Sequence, residues 1–137
     1  MMPPQLRLAP KALLLSIERQ FARSTRLQRL RDYVHLHIQD AISLRQAAGE
    51  VGLERTYFSA YFRRTTGHRF HTWVQLVRIN RALELLESDL SITQLAYAVG
   101  YQDLTTFERA FKQTTGLTPS LARKVLRATG HSTFAEN

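Results

Sequence analysis

The segment GLERTYFSAYFRRTTGHRF, from Gly52 to Phe70, returns in outline as GYQDLTTFERAFKQTTGLTP, from Gly100 to Pro119. This internal echo constrains the fold more than any other feature, because each copy must form the same small unit. Gly52 recurs 48 positions on as Gly100, and only two copies exist. A solenoid needs about three or more stacked repeats to bury a continuous core, so a duplicated unit is expected instead.

The unit itself reads as helix, tight turn, helix. Upstream of each glycine lies a short segment, SLRQAAGEVG or SITQLAYAVG. Ser43 with Gln46, and Ser91 with Gln94, fit the reciprocal capping pattern that satisfies two free amides at a helix start. Ala48 and Ala96 match between the copies. Gly52 and Gly100 then stand where a left-handed turn would strain a residue carrying Cβ. Beyond them Phe58 and Phe62, and Phe107 and Phe111, repeat at helical spacing and read as core. Thr65-Thr66-Gly67 and Thr114-Thr115-Gly116 end both helices, with the glycine placed to cap. The offset grows from 48 at the glycines to 49 at the phenylalanines, so the second turn carries one extra residue. Helix, Gly turn, helix is the outline of a helix-turn-helix.

The rest of the chain supplies helices and no alternating strand pattern. Leu13, Leu14, Ile17 and Phe21 after Pro10 form one apolar stripe, and Leu27, Leu30, Val34 and Ile38 form another. Between the copies, Phe70 to Asp89 carries Trp73, Leu76, Val77, Leu83 and Leu86 at helical spacing. A helix of about 18 residues is about 27 Å long, close to the roughly 34 Å of one DNA turn. Two copies on such a rod suit two successive major grooves read from one side of a duplex, without dimerisation. The expected class is all-α: two helix-turn-helix subdomains at about 43–67 and 91–116, joined by a linker helix at about 70–88. Residues 1–24 form a basic N-terminal extension, read as an extra helix or a linker remnant, and 128–137 a C-terminal tail.

Composition narrows the function. Lys and Arg number 19 against 11 Asp and Glu, a net charge of +8, which suits a polyanionic partner, nucleic acid ahead of membrane. With no cysteine, disulfides and Cys-based zinc or redox sites are excluded. The longest candidate for a signal or membrane segment, ALLLSI at Ala12–Ile17, is six residues, far short of the roughly 20 that span a bilayer; the cytoplasm, at the nucleoid, is the expected location. His35 and His37 point to different helix faces. His68 and His71 lack further ligands for a tetrahedral site, so no metal and no other cofactor is expected. The acids are scattered among basic neighbours and no glycine-rich phosphate loop exists, which argues against an enzyme.

Gly100-Tyr101, Phe107-Glu108-Arg109-Ala110-Phe111-Lys112 and Gly116-Leu117-Thr118-Pro119 resemble the signature of AraC/XylS-type bacterial transcription regulators, and Arg78–Leu86, RINRALELL, resembles that family's linker helix. The resemblance runs over about residues 25 to 127. It implies a seven-helix domain of two helix-turn-helix subdomains, usually a transcription activator that contacts RNA polymerase. Two departures stand out. Ala122 takes a place where the family often has an aromatic, and Glu54, where the second copy has Asp103, is a poor N-cap. Family members commonly carry a sensor and dimerisation domain first. Some 24 residues precede the match here, so the chain reads as a single-domain member or as the DNA-binding part of a longer protein.

On a helical wheel, Glu54–Thr66 buries Phe58, Tyr61, Phe62 and Thr65 and presents Thr56, Ser59, Ala60 and Arg63. The second copy buries Phe107, Ala110 and Phe111 and presents Thr105, Glu108, Arg109 and Lys112. These quartets are where the resemblance places DNA contacts. Thr56, Ser59, Ala60, Leu104, Thr105, Glu108 and Arg109 are the candidates for bases or groove. Arg55, Arg63, Arg64 and Lys112 are the candidates for phosphates. Arg109 is the leading base reader, since a guanidinium pairs bidentately with guanine. Glu108 either accepts from cytosine or forms a solvated ion pair with Lys112. The rival to a DNA-binding regulator is a helical adaptor that engages polymerase or another regulator and binds DNA only weakly.

Overall fold

A computed structural model describes residues 3–129, and among them every regular element is helical. The order is α1 (Pro3–Arg19), a 3-10 turn (Gln20–Arg23), α2 (Thr25–Leu36), α3 (Leu44–Glu50), α4 (Arg55–Thr66), α5 (Phe70–Leu85), α6 (Ile92–Ala98), α7 (Leu104–Thr115) and α8 (Pro119–Thr129). Of the tail at 128–137, residues 130–137 lie outside the described residues, as do Met1 and Met2; α8 continues through Thr129.

The duplicated unit is duplicated down to single hydrogen bonds. Ser43 and Gln46 close a capping box on α3, and Ser91 and Gln94 close the same box on α6. Gly52 and Gly100 sit at φ 70° and 99°, in the left-handed region that a Cβ disfavours. The Thr-Thr-Gly endings share a device that glycine alone does not supply. Thr66 Oγ1 donates to Phe62 O at 2.8 Å and accepts from His68 N–H at 3.1 Å. Thr115 Oγ1 donates to Phe111 O at 2.8 Å and accepts from Leu117 N–H at 3.2 Å. The second threonine of each triplet thus stitches the helix end to the loop that leaves it.

Two hydrophobic cores share one helix. Leu27, Leu30, Val34, Phe58, Phe62, Phe70, Trp73 and Val77 belong to the first core, and Ile79, Leu83, Leu95, Phe107, Phe111 and Ala122 to the second. The division falls within α5, between Val77 and Ile79, so its N-terminal half serves the first unit and its C-terminal half the second. Ala122, at the place where the family often has an aromatic, is fully buried in the second core. At 16 residues, α5 is about 24 Å long, shorter than the sequence spacing suggests. It stops at Leu85 because the chain turns there: Ser88 N–H and Ser88 Oγ–H both donate to Leu85 O, and the Arg123 guanidinium from α8 donates to Leu86 O and Ser88 O.

The N-terminal extension is helical and belongs to the first core, where Leu14, Ile17 and Phe21 are all buried. Leu13, expected on the same stripe, is instead 41% exposed. Glu18 ties this segment down: it accepts from Trp73 Nε1–H at 3.0 Å and Arg31 Nε–H at 3.1 Å and bonds His35 Nε2 at 2.8 Å. Burial pushes the Glu18 carboxyl up, but the bonds from His35 and Trp73, the charge of His35 and the bond from Arg31 together hold it below the usual value.

Candidate nucleic-acid interface

In each unit the second helix starts on a carboxylate. Asp103 accepts from Thr106 N–H at 2.7 Å and from Thr106 Oγ1–H at 3.0 Å. Glu54, expected to cap poorly, accepts from Tyr57 N–H at 3.1 Å. The longer side chain still reaches the free amides of the first turn, with a longer bond. Backbone N–H groups at these helix starts lower both carboxyls, from Thr56 and then Tyr57 for Glu54 and from Thr106 for Asp103. The charge of Arg109 adds a smaller effect on Asp103. At the other ends Arg63 and Arg64 lie in the last turn of α4 and Lys112 in the last turn of α7, where cations suit the helix dipole.

The apolar faces turn the helices over as the wheels require. Phe58 and Phe62 are fully buried, as are Phe107 and Phe111. Opposite them, Arg55, Thr56, Ser59, Ala60, Arg63 and Arg64 of α4 are all exposed. On α7, Thr105, Arg109 and Lys112 are exposed while Glu108 is half-buried. Leu104 also keeps only part of its surface, because it packs against the second core. Among the described residues, Glu108 and Lys112 do not close the ion pair that their spacing permits. Tyr61, half-buried, bonds Ser24 Oγ through its hydroxyl at 3.2 Å and stacks on Tyr57.

Two exposed aromatics escaped the reading of the sequence. Tyr57 on α4 and Tyr97 on α6 keep 53% and 52% of their surface. The signal was faint, since the matching positions in the other copy are Thr106 and Gly49. In a helix-turn-helix the first helix crosses the DNA backbone, and a tyrosine hydroxyl is chemically able to donate to a phosphate oxygen.

The buried arginine of the linker, Arg78, does a different job. Arg78 is buried and donates from Nη1 to Ile38 O and to Val99 O, the latter at 2.7 Å, and from Nη2 to Asp40 O at 3.1 Å. Burial lowers its pKa, while the nearby Tyr101 hydroxyl opposes that shift. Tyr101 in turn is pushed up to about 12 by burial, against the pull of Arg78. Arg78 therefore fastens the exit of α2 to the turn between α6 and α7.

A family model described as a helix-turn-helix domain matches residues 47–125, from α3 to α8. The chain belongs to the AraC-type helix-turn-helix family. This is a family of DNA-binding transcription regulators. Among relatives of this AraC-type chain, the regulatory protein PocR of Salmonella typhimurium is 34% identical over 100 residues, which is 72% of this chain and 33% of PocR. The chain thus spans about a third of that relative. The C-terminal domain of AraT, a response regulator from Geobacillus stearothermophilus, superposes with a TM-score of 0.71 at 28% identity, covering 74% of this chain and 86% of that one. The DNA-binding domain of AdpA, a global transcriptional factor solved with a target DNA, shares the fold with a TM-score of 0.69 at 24% identity, covering 72% and 90%.

Among the described residues no group of three metal-ligating side chains converges, and no helix is long and apolar enough to cross a membrane.

Proposed function

We propose that this chain is a sequence-specific regulator of transcription that binds double-stranded DNA as a monomer, inserting α4 and α7 into successive major grooves. One observation carries this: in both halves of the duplicated unit, the matching pairs Thr56 and Thr105, and Arg63 and Lys112, stand exposed on the face opposite a buried phenylalanine pair. Thr56, Ser59 and Ala60 on α4, and Thr105, Glu108 and Arg109 on α7, face base edges. Leu104 at the start of α7 offers its remaining exposed surface to a thymine methyl. Arg55, Arg63, Arg64 and Lys112 hold phosphates and set the register. The positive charge drives association and makes it salt-dependent. The resemblance further implies activation through contact with RNA polymerase, in the cytoplasm, at the nucleoid.

The experiment is selection of binding sites from a random oligonucleotide pool, followed by titrations at two salt concentrations. A bipartite motif bound with a steep salt dependence is the expected result. No enrichment, together with weak binding that barely responds to salt, would leave the adaptor reading in its place.

A further inference from the structure

Joining two cores through one helix poses a mechanical question. The first core ends at Val77 and the second begins at Ile79, so torsion between the units would be resisted by α5 alone unless something spans the joint. One bond crosses it directly, from Gln75 Nε2–H on the first-unit half of α5 to Thr114 Oγ1 on α7 at 3.2 Å, and two larger features span it. One is Arg78, which reaches carbonyls of both units. The other is α1. It buries Leu14 and Ile17 in the first core, yet it also lies against α7 and α8 of the second unit.

α1 runs antiparallel along α5, since Glu18 meets Trp73 and Pro10 meets Asn80. Asn80 is the anchor at the far end. It is buried, and its Nδ2 donates to Pro10 O at 3.1 Å and to Leu76 O at 2.8 Å. A buried amide is retained at such a position only when its hydrogen bonds are satisfied; here one of them belongs to α1. Asn80 and Arg78 are two residues apart, about 200° around a helix, so the two ties grip α5 on nearly opposite sides.

We propose that α1 is a brace that fixes the separation and twist of the two recognition helices, with Asn80 as its positioning residue, so that the protein discriminates sites by the spacing between their two half-elements. This rests on the DNA-binding reading above. One added base pair moves the second half-element by about 3.4 Å and turns it by about 35°. A braced pair of units cannot follow that displacement, whereas units joined only by α5, Arg78 and the Gln75–Thr114 bond can flex toward it.

The test uses the site recovered by selection, and derivatives with one base pair inserted or removed between its halves. Affinities are measured by fluorescence anisotropy for the wild-type chain, Asn80→Ala and Ile17→Ala, with hydrogen exchange reporting on α1. The wild type should lose about tenfold or more on either altered spacing. In the variants α1 amides should exchange faster while those of α4 and α7 stay protected, and the spacing penalty should shrink to about threefold. Asn80→Ala leaves the apolar core intact and serves alone if Ile17→Ala does not fold. An unchanged spacing penalty with α1 released would overturn the brace, as would α1 amides that remain fully protected in Asn80→Ala. A wild type that enriches no bipartite site would instead overturn the regulator reading and the brace with it.

Discussion

The guanidinium of Arg78 occupies the space that a side chain on Gly100 would need, lying against the backbone of the turn between α6 and α7 together with Ile38 O. Gly100 is thus required twice, once for its φ of 99° and once for the room it leaves. Gly52, its counterpart in the first unit, shares the left-handed backbone but has open space beside it.

That difference makes a comparison of three alanine substitutions informative. Gly52→Ala and Gly116→Ala meet nothing within 4 Å and should lose only the roughly 1–2 kcal/mol of left-handed strain. Gly100→Ala must also displace Arg78 from its carbonyls, and should destabilise by about 3 kcal/mol or more. Denaturant midpoints measure all three. Equal losses would show that the Arg78 contact is not held in solution.

Glu18 predicts a pH dependence. Its carboxyl is held below its ordinary value in the folded chain, so the stabilisation is fully present above the unfolded value of about 4.3 and disappears as pH falls through the lower, folded one. At pH 7 Glu18→Gln should lose about 1–3 kcal/mol, because Trp73, His35 and Arg31 then share a neutral acceptor. The gap between variant and parent should narrow below about pH 4. A gap that persists undiminished at pH 3 would mean the charge on Glu18 is irrelevant.

Arg109→Ala should weaken binding to the selected site by about 1–3 kcal/mol and relax preference at one base position. Anisotropy titrations on the site and its single-base variants give both quantities. An identical loss on random DNA would reassign Arg109 to a phosphate.

The two units should contribute unequally to affinity. From Ser43 to Gly67 stand Arg45, Arg55, Arg63 and Arg64 against Glu50 and Glu54, a net of +2; from Ser91 to Pro119 stand Arg109 and Lys112 against Asp103 and Glu108, a net of zero. Phosphate neutralisation carries most of the salt dependence. Arg63→Ala should therefore lose more affinity, and flatten the salt slope more, than Lys112→Ala. A salt series on both variants decides it, and the reverse order would place the anchor in the second unit.

What the sequence determined by itself was local. Capping pairs such as Ser43 with Gln46 satisfy neighbouring amides, glycines such as Gly116 tolerate a left-handed φ, and phenylalanines four apart share a helix face. Each depends on residues a turn or two away, so spacing alone reveals it, and the duplication reveals it twice. The exposed faces of α4 and α7 were legible for the same reason, as the reverse of the apolar stripe. Three features needed the tertiary structure. Arg78 reads as one more linker charge until Ile38, Asp40 and Val99, from 21 to 40 positions away, aim carbonyls at it. Glu18 reads as a flanking acid until Trp73 and His35 converge on it from two other helices. The placement of α1 against α7 and α8 has no local signal at all. Such contacts are set by which helix lies beside which, and that is decided only when both cores close around α5.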